Sequence, residues 1–344
     1  MTHRERFRST MALEPLDRLP AIEWAGWWDQ TLDRWHAEDL PEALTDAFEI
    51  RTYWGLDPYL QCWIGATGPQ CPQPESRYGG LVSTQAEYEA LLPHLYPEDA
   101  FRTQLVKDLP SASRRQDAVI WVSLEGFFWF ARKLLGVERH LCAFYDHPKL
   151  MHRINQDLLA FNLRVFQEAC AELSPAFMTF AEDMSYNHGP MISRDLFYEF
   201  MAPYYREILP AIKAQGTVPF VDTDGNVTDL VLWFLDVGME GFLPLEHQAH
   251  VDVAALRESY PSLKMIGAYD KMAMSQGEQA MRAEWERLLP VMRQGGFIPA
   301  VDHQTPPQVS MADYRTYRRL QDEYCTRAAQ EREPALAESV KPDA

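Results

Sequence analysis

The chain has 344 residues, with 50 acidic and 32 basic side chains that give a net charge of −18. This charge argues against nucleic acid and anionic membranes as partners, because both are bound through lysine and arginine. Hydrophobic residues make up 47% of the sequence and aromatic residues 12%, which is enough for a large folded core and excludes disorder for most of the chain.

Two further features bear on cellular location. Residues 1–10 contain no apolar segment, and no apolar run reaches the ~18 residues of a membrane span, so we expect neither a signal peptide nor a transmembrane helix. The five cysteines are scattered without a CxxC pair, which is typical of unpaired thiols in a reducing compartment and argues against a zinc site built mainly of sulfur. We therefore predict a cytoplasmic protein.

The first part of the chain mixes helical patterns with aromatic segments. Residues 3–11 have the spacing of an amphipathic helix, residues 19–24 (LPAIEW) predict a short strand, and helical spacing returns in residues 41–55. Residues 59–65 (YLQCWIG) are the weakest of the predicted strands. The Pro- and Gly-rich residues 66–82 predict an ordered loop over the site or at a barrel end, with a domain boundary as the alternative. Trp24 at the end of the first strand and the segment after it, with Trp27, Trp28 and Trp35, are rich in aromatic residues.

From residue 118 onward the pattern becomes regular, with short apolar runs separated by helical patterns. Ser193 is predicted to cap a long helix that ends near Gly216. With the two earlier strands the count reaches eight, which is typical of an α/β protein with a single-domain (β/α)8 TIM-type barrel over residues 1–330 and a disordered tail over 331–344. The six later strands are predicted at 118–124, 176–181, 218–221, 241–245, 263–269 and 297–301.

Acidic residues follow each of these six strands. Because the carboxyl ends of parallel strands meet at one edge, we expect these acids to converge on one cleft. The alternative is that several of them cap the helices that follow. Lys271 beside Asp270 is either a substrate-anchoring cation or a paired charge. The acids are Glu125, Glu182 with Asp183, Asp222 with Asp224, Glu246, Asp270 and Asp302.

The segment TVPFVDTDGN organises this pattern, because a buried strand delivers Asp222 and Asp224 to its carboxyl end. Together with the distant His303, these two carboxylates could form a site of two oxygens and one nitrogen, which suits zinc, manganese or iron. The alternatives are that His303 is a hydrogen-bonded structural residue, or that the three side chains act as acid/base groups without a metal.

Over residues 3–325 the chain resembles the uroporphyrinogen decarboxylase superfamily, which also contains zinc-dependent, cobalamin-linked methyltransferases of methylated small molecules. The resemblance rests on four segments. They are RERFRSTMALEPLDRLP, SRDLFYEFMAPYYREILPAIKAQG, VPFVDTDGNVTDLVLWFLDVGMEGFLPLE and GGFIPAVDHQTPPQVSMADYRTY.

The decarboxylase itself is a poorer match than the methyltransferases. Its Arg-Gln-Ala-Gly-Arg segment, whose arginines bind substrate carboxylates, corresponds here to residues 23–27 (EWAGW), and its catalytic aspartate has no counterpart in residues 59–65. In the methyltransferases a His-x-Cys-Gly motif and a later cysteine, four residues before a proline, hold zinc. Those ligands correspond to Asp222, Asp224 and His303, with Pro307 in place.

The resemblance thus implies a methyltransferase component that acts on a small aromatic or otherwise methylated compound, with a corrinoid carried by a separate protein. The alternatives are a decarboxylase or lyase acting on a small carboxylic acid, and a non-catalytic binding protein. A homodimer is one candidate assembly, and the sequence leaves the oligomeric state open. The candidate catalytic residues are Asp222, Asp224, His303, Glu182 and Asp183. The candidate substrate-binding residues are Trp24, Trp27, Glu125, Glu246, Asp270 and Lys271, with Trp28 and Trp63 as further candidates for an apolar wall. The candidate metal ligands are Asp222, Asp224 and His303, with zinc as the expected metal.

Overall fold

The computed structural model describes residues 1–76, 78–108 and 117–332. The helices are α1 His3–Met11, α2 Asp29–Glu38, α3 Ala47–Tyr53, α4 Gln85–Leu91, α5 Ala100–Asp108, α6 Phe127–Leu135, α7 Val137–Asp146, α8 Pro148–Glu172, α9 Arg194–Phe200, α10 Ala202–Ala214, α11 Thr228–Asp236, α12 Val253–Ser259, α13 Glu278–Met292 and α14 Met311–Gln330. The strands are β1 Tyr59–Ile64, β2 Val119–Glu125, β3 Phe177–Ala181, β4 Ser185–Tyr186, β5 Gly189–Pro190, β6 Val218–Asp222, β7 Gly241–Leu243, β8 Lys264–Tyr269 and β9 Phe297–Val301. Short 3-10 helices lie at Leu92–His94, His247–Ala249 and Lys271–Gln276.

Most predicted elements are confirmed, including the weakest strand, β1. The helix predicted from Ser193 to Gly216 is capped as expected, since Ser193 Oγ accepts from the Leu196 N–H at 3.3 Å. It is nevertheless divided into α9 and α10, because Met201 leaves the helical conformation and Pro203 occupies the first turn of the second helix. The predicted tail lies, from residue 333 onward, outside the described residues.

The strand predicted at residues 19–24 is wrong, since this segment forms no strand. The reason lies in how it meets β9. The Val301 N–H donates to the Glu23 carboxylate at 3.1 Å, and the Trp24 indole donates to the Val301 carbonyl at 2.6 Å. Side chains thus occupy the two backbone groups of Val301 that a strand ladder would need, and the segment forms no ladder with β9.

The described chain divides into two compact units. One, here the central unit, contains the described residues of Leu60–Gln116 and Ile120–Glu240. Its strands follow the order β1-β2-β3-β6, and β3 pairs in parallel with both β2 and β6. The register pairs Glu125 with Ala181 and Ala181 with Asp222, so three strand ends lie level at one edge. Trp121, stacked on Phe177 with 5.2 Å between ring centroids, fills the core beneath.

The other compact unit, here the terminal unit, contains Met1–Tyr59, Asp117–Val119 and the described residues from Gly241 onward. Its strands β7, β8 and β9 are parallel neighbours, and Tyr269 pairs with Val301 at their carboxyl ends. Helices α13 and α14 pack through aromatic rings, with Trp285 stacked 5.6 Å from Tyr317. In both units parallel strands therefore alternate with helices, which is the α/β organisation that the sequence predicts.

Across the described ranges, every helix falls short of the combined length and apolarity that a bilayer crossing requires. All five cysteines lie in the described part of the chain, and all five are free thiols.

Candidate functional site

The acids predicted at the ends of β2, β3 and β6 are brought to one edge of the central unit. The parallel register sets Glu125 and Asp222 level with the end of β3. The N–H groups of Glu182 and Asp183 both approach the Asp222 carbonyl, at 2.8 and 3.4 Å. The predicted convergence of these strand ends at one edge is confirmed, and their carboxylates differ sharply in their surroundings.

Glu182 is fully buried and bonded entirely to the protein. Its carboxylate accepts the N–H groups of Phe127, Phe128 and Trp129 at 2.8–3.0 Å, and the Tyr205 hydroxyl also donates to it. Burial raises the pKa of Glu182 to about 7, although these four donors act in the opposite direction. Glu182 thereby caps the N-terminus of α6 from another strand. Its burial is explained without a substrate, and the catalytic role predicted for it stays a prediction.

The residue that opens α6, Gly126, makes this capping possible. A Cβ atom at position 126 would lie 2.2 Å from Glu182 Cδ and 2.5 Å from the Ala181 carbonyl oxygen. Only glycine therefore lets the helix start approach the end of β3.

Glu125, at the end of β2, forms an ion pair with the helix that follows. Lys133 Nζ donates to Glu125 Oε1 at 2.6 Å, and the other carboxylate oxygen, Oε2, is buried without a hydrogen-bond partner among the described residues. The Lys133 side chain is 35% exposed and that of Glu125 only 2%. The cation thus lies on the open side of the pair.

Three aspartates, Asp183, Asp222 and Asp224, form a cluster at the ends of β3 and β6. Desolvation, and then the charges of Asp183 and Asp224, raise the pKa of Asp222 well above its usual range. Within the described ranges, the Asp222 carboxylate makes no hydrogen bond or ion pair. The ionised form of Asp222 is thus disfavoured by its surroundings. Carboxylates with pKa values shifted in this way are typical of functional sites.

The turn after Asp224 is fixed by the loop that follows β3. Gly225 has a φ of +84°, and a Cβ atom there would lie 2.7 Å from the Tyr186 backbone. Ser185 Oγ donates to the carbonyls of Asp224 and Asn226 at 2.8 and 3.0 Å. The β3 loop therefore holds the Asp222–Asp224 segment in place.

A cavity of about 560 Å³ opens in the central unit beside this cluster. Asp183 lies on its wall, and the loop over residues 66–82 supplies Cys71 and Tyr78. The remaining wall comes largely from α6 and the residues after it, including Trp129, Arg132, Lys133, Leu134 and Val137. For the described residues of 66–82, this placement agrees with the expectation of a loop over a site.

In the terminal unit the strand-end acids are bonded to their neighbours. Asp302 is buried and accepts from the N–H groups of His247 and Lys271 and from Lys271 Nζ, at 3.1–3.2 Å. Asp270 accepts the Met272 N–H at 2.9 Å and so caps the 3-10 helix Lys271–Gln276. Both sequence alternatives, helix capping and charge pairing, apply to these residues. Substrate binding by Asp270 and Lys271 remains a prediction.

The other predicted residues of the terminal unit have contrasting surroundings. Trp24 lies edge-on to His303, with 6.1 Å between ring centroids, and both are partly exposed. Glu246, after β7, is also partly exposed. Trp27 is instead buried against Trp35 and Tyr314, so it fills the core. The remaining wall candidates, Trp28 in this unit and Trp63 in the central unit, are exposed.

Glu23, which corresponds to the first arginine of the decarboxylase segment, is buried in the core of the terminal unit. It accepts from the Tyr317 hydroxyl and the Val301 N–H. Burial raises the pKa of Glu23 from 4.5 to about 7, against the effect of these two hydrogen bonds. Its carboxylate therefore affects stability rather than contacting a ligand.

We expect this burial to make the stability of the protein depend on pH. Between pH 4.5 and 7 the unfolded chain loses the Glu23 proton while the folded chain keeps it, so the free energy of unfolding falls as pH rises through this window. In Glu23→Gln this dependence is absent. The unfolding free energy of the wild type minus that of the variant should therefore fall by about 2 kcal/mol from pH 5 to 8. Urea unfolding across this range measures it, with the exposed Glu42→Gln as control. A pH-independent difference would contradict the assignment.

Sequence reasoning missed the side chains that α6 places on the cavity, Trp129, Arg132 and Lys133. The available signal was the segment FFWFARKLL, which directly follows a strand-end Glu-Gly and is apolar apart from its two cations. A helix that is apolar on nearly all sides is buried, so the position of its few charges carries information.

Comparisons with known proteins place this geometry in a family. The uroporphyrinogen decarboxylase (URO-D) family matches residues 111–324. A sequence comparison with curated proteins found no significant match. Among solved structures, the chain is similar to a methyltransferase from Methanosarcina mazei, with a TM-score of 0.63 and 16% identity over 94% of this chain and 99% of that one.

A weaker likeness, with a TM-score of 0.43 and 12% identity, is to a candidate vitamin-B12 independent methionine synthase from Listeria monocytogenes, over 92% of this chain and 98% of that one. The family match covers more than half of the sequence, and the M. mazei structure shares the fold over nearly its whole length. The chain therefore belongs to the uroporphyrinogen decarboxylase family and has the α/β fold class of that family, the (β/α)8 TIM-type barrel.

Proposed function

We propose that the protein is a methyltransferase component that acts on a small methylated compound, with a corrinoid carried by a separate protein. Family membership and the likeness to the M. mazei methyltransferase support the class of enzyme. At 16% identity that likeness shows the fold alone, so the chemistry has to rest on the site. The observation that carries it is the cluster Asp183, Asp222 and Asp224 at adjoining strand ends, with Asp183 on the wall of a mostly apolar cavity.

The cluster suits the proton requirement of such a transfer. When the bond between the methyl carbon and its heteroatom breaks, the electron pair stays on the heteroatom, which then takes up a proton. Asp222 is the group best placed to hold that proton, because its burial, and then the neighbouring charges of Asp183 and Asp224, favour its protonated form. The apolar cavity would exclude water from the reacting methyl group.

Two carboxylates of this cluster are also suitable ligands for a divalent metal. Burial and then the charges of Asp183 and Asp224 disfavour the ionised form of Asp222, and a cation would stabilise that form; oxygen and imidazole ligands suit zinc, manganese or iron. We propose Asp222, Asp224 and His303 as the ligands, with the partly exposed Glu246 as a further candidate. A bound metal would polarise the substrate heteroatom as a Lewis acid.

The test is methyl transfer to free cob(I)alamin, which stands in for the corrinoid of a partner. The purified protein is incubated with cob(I)alamin and, separately, a methoxylated benzoate, a methylamine and a methyl thioether. We expect protein-dependent formation of methylcobalamin, followed by its absorption spectrum, with at least one donor. No formation with any donor would contradict the proposal.

A second candidate function is a decarboxylase or lyase acting on a small carboxylic acid, favoured by the raised pKa of Asp222. Loss of CO₂ leaves an electron pair on carbon, and a protonated Asp222 could supply the proton that this carbon needs. Protein-dependent release of labelled CO₂ from carboxylic acids, without methylcobalamin formation, would favour this alternative.

We expect no decarboxylation of uroporphyrinogen itself. The segment that matches the arginine-bearing motif of the decarboxylase is EWAGW, and the residues in place of its two arginines, Glu23 and Trp27, are both buried in the core. The segment therefore offers no cation for a substrate carboxylate. Chromatography of the oxidised products after incubation with uroporphyrinogen checks this. Coproporphyrin formed at an ordinary enzymatic rate would show the expectation to be wrong.

A further inference from the structure

The cavity of the central unit combines apolar walls with very few charges. Of the described residues that line it, only Arg132, Lys133 and Asp183 are charged. Tyr78 and Trp129 supply aromatic surface, and Leu134 and Val137 are among the aliphatic side chains. Cavities of several hundred Å³ with this composition hold small organic molecules that a few polar groups orient. The charged residues therefore decide which class of molecule binds.

Arg132 makes its polar contacts within the protein. Its Nη1 donates to the Asp183 carbonyl at 2.8 Å and approaches Met191 Sδ at 3.8 Å, while its Nη2 lies 3.7 Å from Asp183 Oδ2. Its guanidinium carbon also lies 4.4 Å from the centre of the Trp129 ring. Arg132 and Asp183 thus offset each other's charge and shape the wall.

Lys133 has a different arrangement. Its ammonium carries three N–H groups, and one donates to Glu125 Oε1 at 2.6 Å. Glu125 lies behind it and is not part of the cavity lining. The carboxylate fixes the position of the ammonium, and the more exposed Lys133 side chain presents a positive donor to a cavity whose described lining is largely apolar.

We propose that this cavity binds a flat, mostly apolar organic monoanion, whose carboxylate or phenolate oxygen accepts from Lys133 and whose ring lies against Trp129 and Tyr78. A single charge-assisted hydrogen bond in an apolar surrounding gives strong selection for an anion over a neutral molecule of the same shape. The identity of this ligand as the methylated substrate rests on the proposed function, whereas the binding itself does not.

The experiment compares 2-naphthoate with its neutral counterpart 2-naphthamide by calorimetry and by quenching of tryptophan fluorescence. The wild type should bind naphthoate at least about tenfold more tightly than naphthamide, as one hydrogen bond to a charged group predicts. In Lys133→Met this preference should disappear while naphthamide binding is retained. The exposed Lys149→Met, in the same unit, is the matched control and should behave like the wild type.

Removing Lys133 alone leaves Glu125 buried and unpaired, so the double variant Lys133→Met/Glu125→Gln is also measured. It removes both charges together and should fold like the wild type without selecting the anion. Equal binding of both probes by the wild type, no saturable binding of naphthoate, or a persistent preference for naphthoate in the folded double variant would each overturn the proposal. These readouts involve neither a corrinoid nor methyl transfer, so failure of the proposed function would leave them unchanged.

Discussion

Replacing His303 by alanine is expected to remove a bound divalent metal and to abolish activity while the fold stays intact. The wild-type protein should be purified with near-stoichiometric metal, since the proposed ligands Asp222, Asp224 and His303 would supply two oxygens and one nitrogen. Two carboxylates without the imidazole bind zinc weakly and compete poorly with water and buffer. His303 is partly exposed, so its loss should cost little packing energy.

Metal analysis by mass spectrometry, thermal unfolding and the cob(I)alamin assay measure the three parts of this expectation. His147→Ala is the control, because His147 is exposed and its side chain does not cap α8. A wild-type protein without metal would rule out the metal site. If His303→Ala then still lost activity, the same residues would act as acid/base groups, as in the lyase alternative. If the His303→Ala protein kept both ligand binding and activity, the catalytic site would not include His303.

Replacing Asp222 by asparagine should abolish activity without reducing stability. The Asp222 carboxylate has no hydrogen bond or ion pair within the described ranges, and its neighbours Asp183 and Asp224 act against its charge. An amide of nearly the same shape removes this repulsion, so the free energy of unfolding should equal or exceed that of the wild type. Loss of the group that holds the proton, or of a metal ligand, should reduce kcat by about 100-fold or more.

The matched control is Asp229→Asn, which changes an exposed aspartate in the first turn of α11, seven positions along the chain. It should leave kcat and the free energy of unfolding close to their wild-type values. Urea unfolding and steady-state kinetics give the two readings. An Asp222→Asn protein that is clearly less stable than the wild type, or as active, would show that Asp222 serves the fold and not the reaction.

The sequence by itself determined the order of the elements and the acidic edge of the central unit. Short apolar runs fixed β1, β2, β3 and β6, because their spacing is a local property of the chain. Local chemistry also set several boundaries, such as the Ser193 cap and the turn at Gly225. Parallel pairing then had to bring Glu125 and Asp222 to one edge.

Tertiary structure alone decided what each acid does. Glu182 caps α6, and Glu125 forms an ion pair with Lys133. The Asp222 carboxylate has no hydrogen bond or ion pair within the described ranges. All three residues nevertheless occupy the same kind of position in the sequence, at the end of a short apolar run. Contacts between distant residues also explain why no strand forms at residues 19–24. The side chains of Glu23 and Trp24 bond the backbone N–H and carbonyl of Val301, nearly 280 residues away. Hydrogen-bond partners and burial depend on residues that are distant in the chain. Periodicity and spacing, which are local, therefore predict the elements but not these roles.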